Sequence, residues 1–144
     1  MLFGAAIGSI VKSVPLAVIL AFFGHYFLDF FPHIEYSIDS VRNKNWKYSG
    51  IDIAKVVIDF LLGILLIFLF SKNQPIIYIC VFASIIPDGL TILSDIIPNK
   101  ILSWHDYLHT KKIHYLTKQK KFPVFWRILS QIIAVTASML LLAI

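Results

Sequence analysis

An all-α, polytopic integral membrane bundle is the fold this chain predicts, and three observations carry it. Hydrophobic residues make up 58% of the 144 residues, above the roughly 45–50% usual in soluble domains. The mean hydropathy is +0.80. The apolar residues gather into runs at 14–31, 51–70, 75–97 and 124–144, each close to the roughly 20 residues a helix needs to cross a bilayer. A soluble core of this size could not hide so much apolar surface. The expectation is therefore one membrane domain, residues 1–144, of about four transmembrane helices with a short N-terminal helix and a cytoplasmic interfacial helix.

Taken in order, residues 1–12 are separated from the first long run by Lys12, Ser13 and Pro15. Twelve helical residues reach only about 18 Å, too short to cross, and Gly4 and Gly8 have the small-xxx-small spacing that lets helices approach closely. This piece is predicted as a packing helix. The run that follows continues to Phe31 with no small-residue cleavage site before the polar segment, so it is read as a retained span and not a signal peptide. Ser71-Lys72-Asn73-Gln74-Pro75 is turn chemistry that joins 51–70 and 75–97 into a helical hairpin, with Pro75 in the first turn of the second helix. Pro87 is expected to kink that helix and Pro98 to end it. Cys80, the single cysteine, reads as a small buried hydrophobe.

Four spans place the segments 32–50 and 98–123 on one side of the membrane. Eleven of the 13 Lys and Arg residues, all but Lys12 and Lys72, belong to that side. The excess of positive charge assigns it to the cytoplasm, and the chain reads as a multi-pass membrane protein. The same bias accounts for the net charge of +5 without any nucleic-acid-reading motif, so no nucleic acid is expected as a partner.

Ionisable residues at membrane depth are the candidates for chemistry. In Gly24-His25-Tyr26-Phe27-Leu28-Asp29-Phe30-Phe31-Pro32-His33, His25 and Asp29 lie one helical turn apart on one face, and His33 continues the line if Pro32 only bends the chain. Such an imidazole and carboxylate can hold a divalent ion; they can also simply pair with each other. Asp59 lies about 13 Å into the second run, with Lys55 one turn earlier as a plain ion-pair partner. Ser84, Asp88, Thr91 and Asp95 form one polar stripe on the third, with Asp88 about 15 Å back from Pro98. His105 and His109 again have one-turn spacing, and His114 follows five residues on, in an aromatic and basic stretch typical of interfacial helices. These groups can converge at one depth, open toward one side. The absence of paired cysteines points to an oxygen- and nitrogen-ligated ion, zinc or manganese, and the number of candidates allows one or two ions.

The string His25 to His33, with Ile86-Pro87-Asp88 and then His105 and His109, resembles small prokaryotic membrane-bound metal-dependent hydrolases, in which H-x-x-x-D, P-D and late His elements recur on a helical frame. The H-x-x-x-D spacing is also similar to a ligand pair of zinc-dependent phospholipase C and related nucleases. The resemblance covers most of residues 14–116 and implies His25, Asp29, Asp88, His105 and His109 as ligands, with His33 and Asp59 next. The chain departs from the pattern in having no His before Gly24 and in having Pro87-Asp88-Gly89 where a P-D-x-D-H run is usual.

The leading functional expectation is a metal-dependent hydrolase acting at the cytoplasmic face on a phosphoester or other ester, lipid-linked or near anionic lipid. Asp88 or Asp59 holds or bridges its ions, and His105 or His109 protonates the leaving group. A small ion or proton transport protein and a non-catalytic membrane scaffold are the alternatives. The charge bias makes a direct prediction: single cysteines at Lys44 and Lys118 react with an impermeant thiol reagent only from the cytoplasm, and one at Lys72 only from outside. Reversed labelling contradicts the orientation.

Overall fold

The computed structural model describes residues 1–34, 39–43, 45–97, 99–115 and 122–144. Lys44, Pro98, Leu116, Lys118, Lys120 and Lys121 lie outside the described residues, and with them part of the charge bias. The described chain is helical throughout: α1 (Leu2–Ile10), α2 (Val14–Asp29), the single turn α3 (Asp39–Arg42), α4 (Trp46–Phe70), α5 (Pro75–Ile96), α6 (Lys100–Tyr107), a π-helical turn (Leu108–Ile113) and α7 (Val124–Leu142).

Three helices, Lys47–Phe70, Pro75–Ile96 and Val124–Leu142, are long and apolar enough to cross a membrane. The expected fourth, α2, has 16 residues, about 24 Å. It stops at Asp29 where the sequence runs predicted Phe31, because Phe31 N already turns back to Leu28 O (3.0 Å) ahead of Pro32. The protein is nonetheless a membrane protein by its surface. Ile19, Phe23, Ile58, Leu62, Phe82 and Ile133 all point outward and are more than half exposed, a continuous apolar exterior that water would not tolerate.

The short N-terminal helix lies at the centre of the bundle. Gly4, Ala5, Ala6 and Gly8 are all buried, and α1 packs against α2, α5 and α7. The glycines are required by distance. A Cβ on Gly4 would lie 2.5 Å from Ser84 Oγ and 2.7 Å from Cys80 O, and one on Gly8 would lie 2.9 Å from Ile77 Cα. Two small-residue seams result, one of Ala5 with Ile67, Ile77, Val81 and Leu142, the other of Ala17 and Ala21 with Cys80 and Ala83.

The hairpin expected of the second and third runs is corrected. The turn forms, with Asn73 in the left-handed region at φ 53° and its Nδ2 donating to Phe68 O at 3.1 Å, a conformation Asn tolerates. The two helices it joins hardly pack on each other, because α5 buries its small-residue face on α1 and α2 instead. Helix α4 begins at Trp46, five residues before the predicted start, so Asp59 sits near its middle. Ile97 ends α5 in extended backbone at φ −110°, ψ 113°, as a residue before proline should.

At one end of the bundle the expected interfacial helix appears as α6. Asn99 caps it, its Oδ1 accepting from Ile101 N (2.8 Å) and Leu102 N (3.4 Å). Ile101 and Trp104 face outward while His109 and Thr110 are buried. Ser130 Oγ donates to Pro32 O, and Gln131 Nε2 donates to Ile34 O at 3.0 Å. The chain just after α2 thus meets the first half of α7.

Because backbone atoms set the α1–α5 approach, Gly4→Ala and Gly8→Ala should each destabilise the bundle by about 1–3 kcal/mol. Gly50→Ala, where an added Cβ meets nothing within 4 Å, should not. Thermal unfolding in one detergent checks this.

Candidate metal centre

The centre is built on Asp29. Helical spacing sets His25 and Asp29 on one face of α2, with His25 Nε2 3.0 Å from Asp29 Oδ2. The same oxygen lies 3.0 Å from His109 Nε2 and 3.2 Å from His114 Nε2. His109 and His114 are five residues apart, a spacing that on an α-helix leaves side chains about 140° apart. The π-helical turn removes that offset: His114 N donates to His109 O at 3.1 Å, an i to i−5 bond. The two Nε2 atoms then stand 3.2 Å from each other, and His25 Nε2 stands 3.3 Å from His109 Nε2. Helix α5 adds Asp88, whose Oδ1 is 3.4 Å from His25 Nε2.

Proton placement shows what this arrangement needs. Thr91 Oγ1 donates its one hydrogen to Pro87 O at 3.2 Å, so toward His109 Nδ1, at 2.9 Å, it accepts. Thr91 so orients the His109 ring, whose Nε2 faces the carboxylate oxygen and two further ring nitrogens. Donor atoms so close to one another suit a shared cation. Ligands 2.0–2.1 Å from a tetrahedral ion lie about 3.3–3.4 Å from one another, close to the separations of 3.0 to 3.4 Å seen here. His25, Asp29, Asp88 and His109 each offer a ligand atom within 4.8 Å of the others, and the group can hold a metal ion. His109 closes one side, buried to 2%, whereas the Asp88 side chain is 59% exposed, so the centre opens past Asp88.

Of the seven ligands expected from sequence, His25, Asp29, Asp88 and His109 come together, and His105, His33 and Asp59 stand apart from that group. His105 Nε2 bonds the Tyr26 hydroxyl at 2.9 Å, its ring centroid is 5.5 Å from that of His109, and its Nδ1 is buried without a hydrogen-bond partner. Burial, and then the neighbouring His109 charge, push the His105 imidazole below its ordinary range. The His33 Nδ1–H donates to Phe31 O at 2.8 Å, with its ring 5.2 Å from that of His114. Asp59 is exposed on α4. The expected Lys55–Asp59 pair does not form, since Lys55 Nζ meets Asp52 Oδ1 at 3.4 Å. Asp59 shares a neighbour with the centre, for the Met1 amino group feels the charge of Asp88, Asp29 and Asp59 alike.

Sequence reasoning missed three participants. His114 was passed over because a five-residue step leaves the α-helical face, and no residue pattern announces a π-helical turn. Thr91 was seen on the polar stripe, but not as the hydroxyl that orients His109. Tyr26, flanking His25, gave no signal. Ser84, on the same stripe, turns inward and donates to Val81 O at 2.8 Å beneath Gly4.

Fold and site together define a polytopic helical membrane protein carrying a His/Asp group suited to a metal ion. No known protein family, curated protein or solved structure matches the chain, so the hydrolase resemblance has no support beyond the motif residues themselves.

Thr91→Val keeps the side-chain volume and removes the hydroxyl that orients the His109 ring. Metal affinity, measured by competition with a chromogenic chelator, should drop about 10–100-fold. Ser94→Ala, one turn on but bonded only to Thr91 O at 2.7 Å, should leave it unchanged.

Proposed function

We propose that this protein is a metal-dependent hydrolase of the prokaryotic cytoplasmic membrane, acting on a phosphoester, or a related ester, of a lipid-linked substrate at the inner leaflet. The observation that carries the reading is the meeting of three imidazole nitrogens on one Asp29 oxygen in a centre open past Asp88. Catalytic metal sites characteristically keep such an open position, whereas structural ones are closed. Zinc or manganese suits the donor set and would supply Lewis acidity and an activated water.

In this reading His25, Asp29, His109 and His114 would hold the ion, and Asp88, at the exposed mouth, would be the ligand that water or substrate displaces. These donors account for one ion; His33 and Asp59 are the side chains left for a second. His105, hydrogen-bonded to Tyr26 at 2.9 Å, is in this reading the group that would pass a proton to a leaving oxygen. Lys111 and Lys112, exposed on the π-helical turn, would draw anionic headgroups to the mouth, each by about 1 kcal/mol. A lipid-linked substrate suits the position of the site, whose ligands come from the end of α2, from the second half of α5 and from the π-helical turn that follows α6.

The test is turnover by protein reconstituted in liposomes. Phospholipid and polyprenyl-phosphate substrates are offered with zinc or manganese, alongside Asp29→Asn and Asp88→Asn variants. Turnover is expected to need the metal and to fall to background in both variants. Bound metal with no turnover on a broad ester panel, but with ion or proton flux across the liposome, would replace this reading with transport.

A further inference from the structure

The ligands of the centre belong to two parts of the chain. His25, Asp29 and Asp88 are on the membrane helices α2 and α5, whereas His109 and His114 are on the segment Lys100–Tyr115 that follows α5. This segment meets α2 chiefly at the π-helical turn. Its outer face is bare of protein, with Ile101 75% and Trp104 64% exposed. Its junction with α2 is made by His109 Nε2 and His114 Nε2 on Asp29 Oδ2, at 3.0 and 3.2 Å, and by His105 Nε2 on the Tyr26 hydroxyl at 2.9 Å.

We propose that the divalent ion is a latch: its binding closes the segment Lys100–Tyr115 onto α2, and its loss lets the segment lift from α2 at the π-helical turn. The inference rests on the metal-centre reading and adds regulation to it. With the ion bound, His25, Asp29, His109 and His114 would be ligands to one charge, joining the two parts of the chain. Without it, the segment meets α2 through individual polar contacts, those of His109 and His114 with Asp29 and of His105 with Tyr26.

The π-helical turn is the two-state element. π-Helical turns are rare and recur at functional sites. If this one relaxes to α-helix, His114 swings about 140° away from the face of His109, so the geometry that completes the site is the geometry the ion must maintain. Opening also exposes the centre from the side that buried His109 now covers. Metal supply thereby sets both the occupancy of the site and its cover. The occupant is named by its chemistry: a divalent cation that accepts imidazole and carboxylate ligands, with zinc as the probe.

Hydrogen exchange of the full chain in lipid nanodiscs tests the latch, with metal content measured on the same samples. If the ion binds only the closed form, free zinc at about 100 times its dissociation constant should slow exchange of the 108–115 amides roughly 100-fold relative to chelator-stripped protein. Amides of Pro75–Ile96 should not change, and they report that the bundle remains folded. Zinc bound at full stoichiometry with no change over 108–115 overturns the latch while leaving the metal centre intact. No zinc bound at all overturns the metal centre and the latch with it. His114→Ala leaves the four-residue group that can hold the ion, with His109 still on the segment, so it should still bind zinc and keep protection near His109 while losing the zinc-dependent protection at 113–115. Full protection in that variant would refute the part given to the π-helical turn.

Discussion

In a bilayer every polar group that leaves water must be met by another group of the protein, because hydrocarbon offers no partner. Much of this molecule follows from how that requirement is met at one end of its bundle. Asp29, at the last residue of α2, gathers His25 from its own helix and His109 and His114 from the segment beyond α5. Each contact also fixes a piece of architecture: the end of α2, the path of the chain after α5, and the π-helical turn that aligns two histidines five residues apart.

The frame beneath the site is set by a different constraint, the size of the residues between helices. Helices in lipid gain little from apolar contact with each other, since the tails are equally apolar, and close approach through small residues decides which pairs form. Gly4, Ala5, Ala6 and Gly8 let α1 lie against α5, with Ser84 and the Cys80 carbonyl where a larger residue would need to sit. Ala17 and Ala21 do the same for α2. Helix α4 is rich in large apolar residues along most of its surface and has few such seams, so it packs lightly although a short turn ties it to α5. The burial of α1 at the centre brings α2 and α5 together, and so brings His25 within reach of Asp88 at 3.4 Å.

The arrangement also separates two kinds of intramembrane charge. The carboxylates of the site are met by imidazoles, with Thr91 orienting one of them through its hydroxyl. Asp59 belongs to the other kind: it is exposed midway along α4, near enough to share the Met1 amino group with Asp88 and Asp29, yet outside the ligand group. Its depth resembled that of the site residues in the sequence, but depth alone does not say which way a side chain faces across a loosely packed helix.

Hydropathy runs, turn residues and helical spacing are properties of contiguous chain, and by themselves they determined the helical membrane fold, the separate short helix at the start, and the pairing of His25 with Asp29. They also singled out Asp88, a polar group on an apolar helix, and His109, by its one-turn spacing from His105. Only the tertiary structure decided that α5 packs on α1 and α2 rather than on α4, since that choice depends on which small-residue faces meet. It also decided that His114 joins the centre while His105 turns to Tyr26 and His33 to its own backbone. The reason is physical: a ligand sphere about 3 Å across is set by backbone geometry at the π-helical turn and by contacts across three chain segments, neither of which leaves a periodic trace in the sequence.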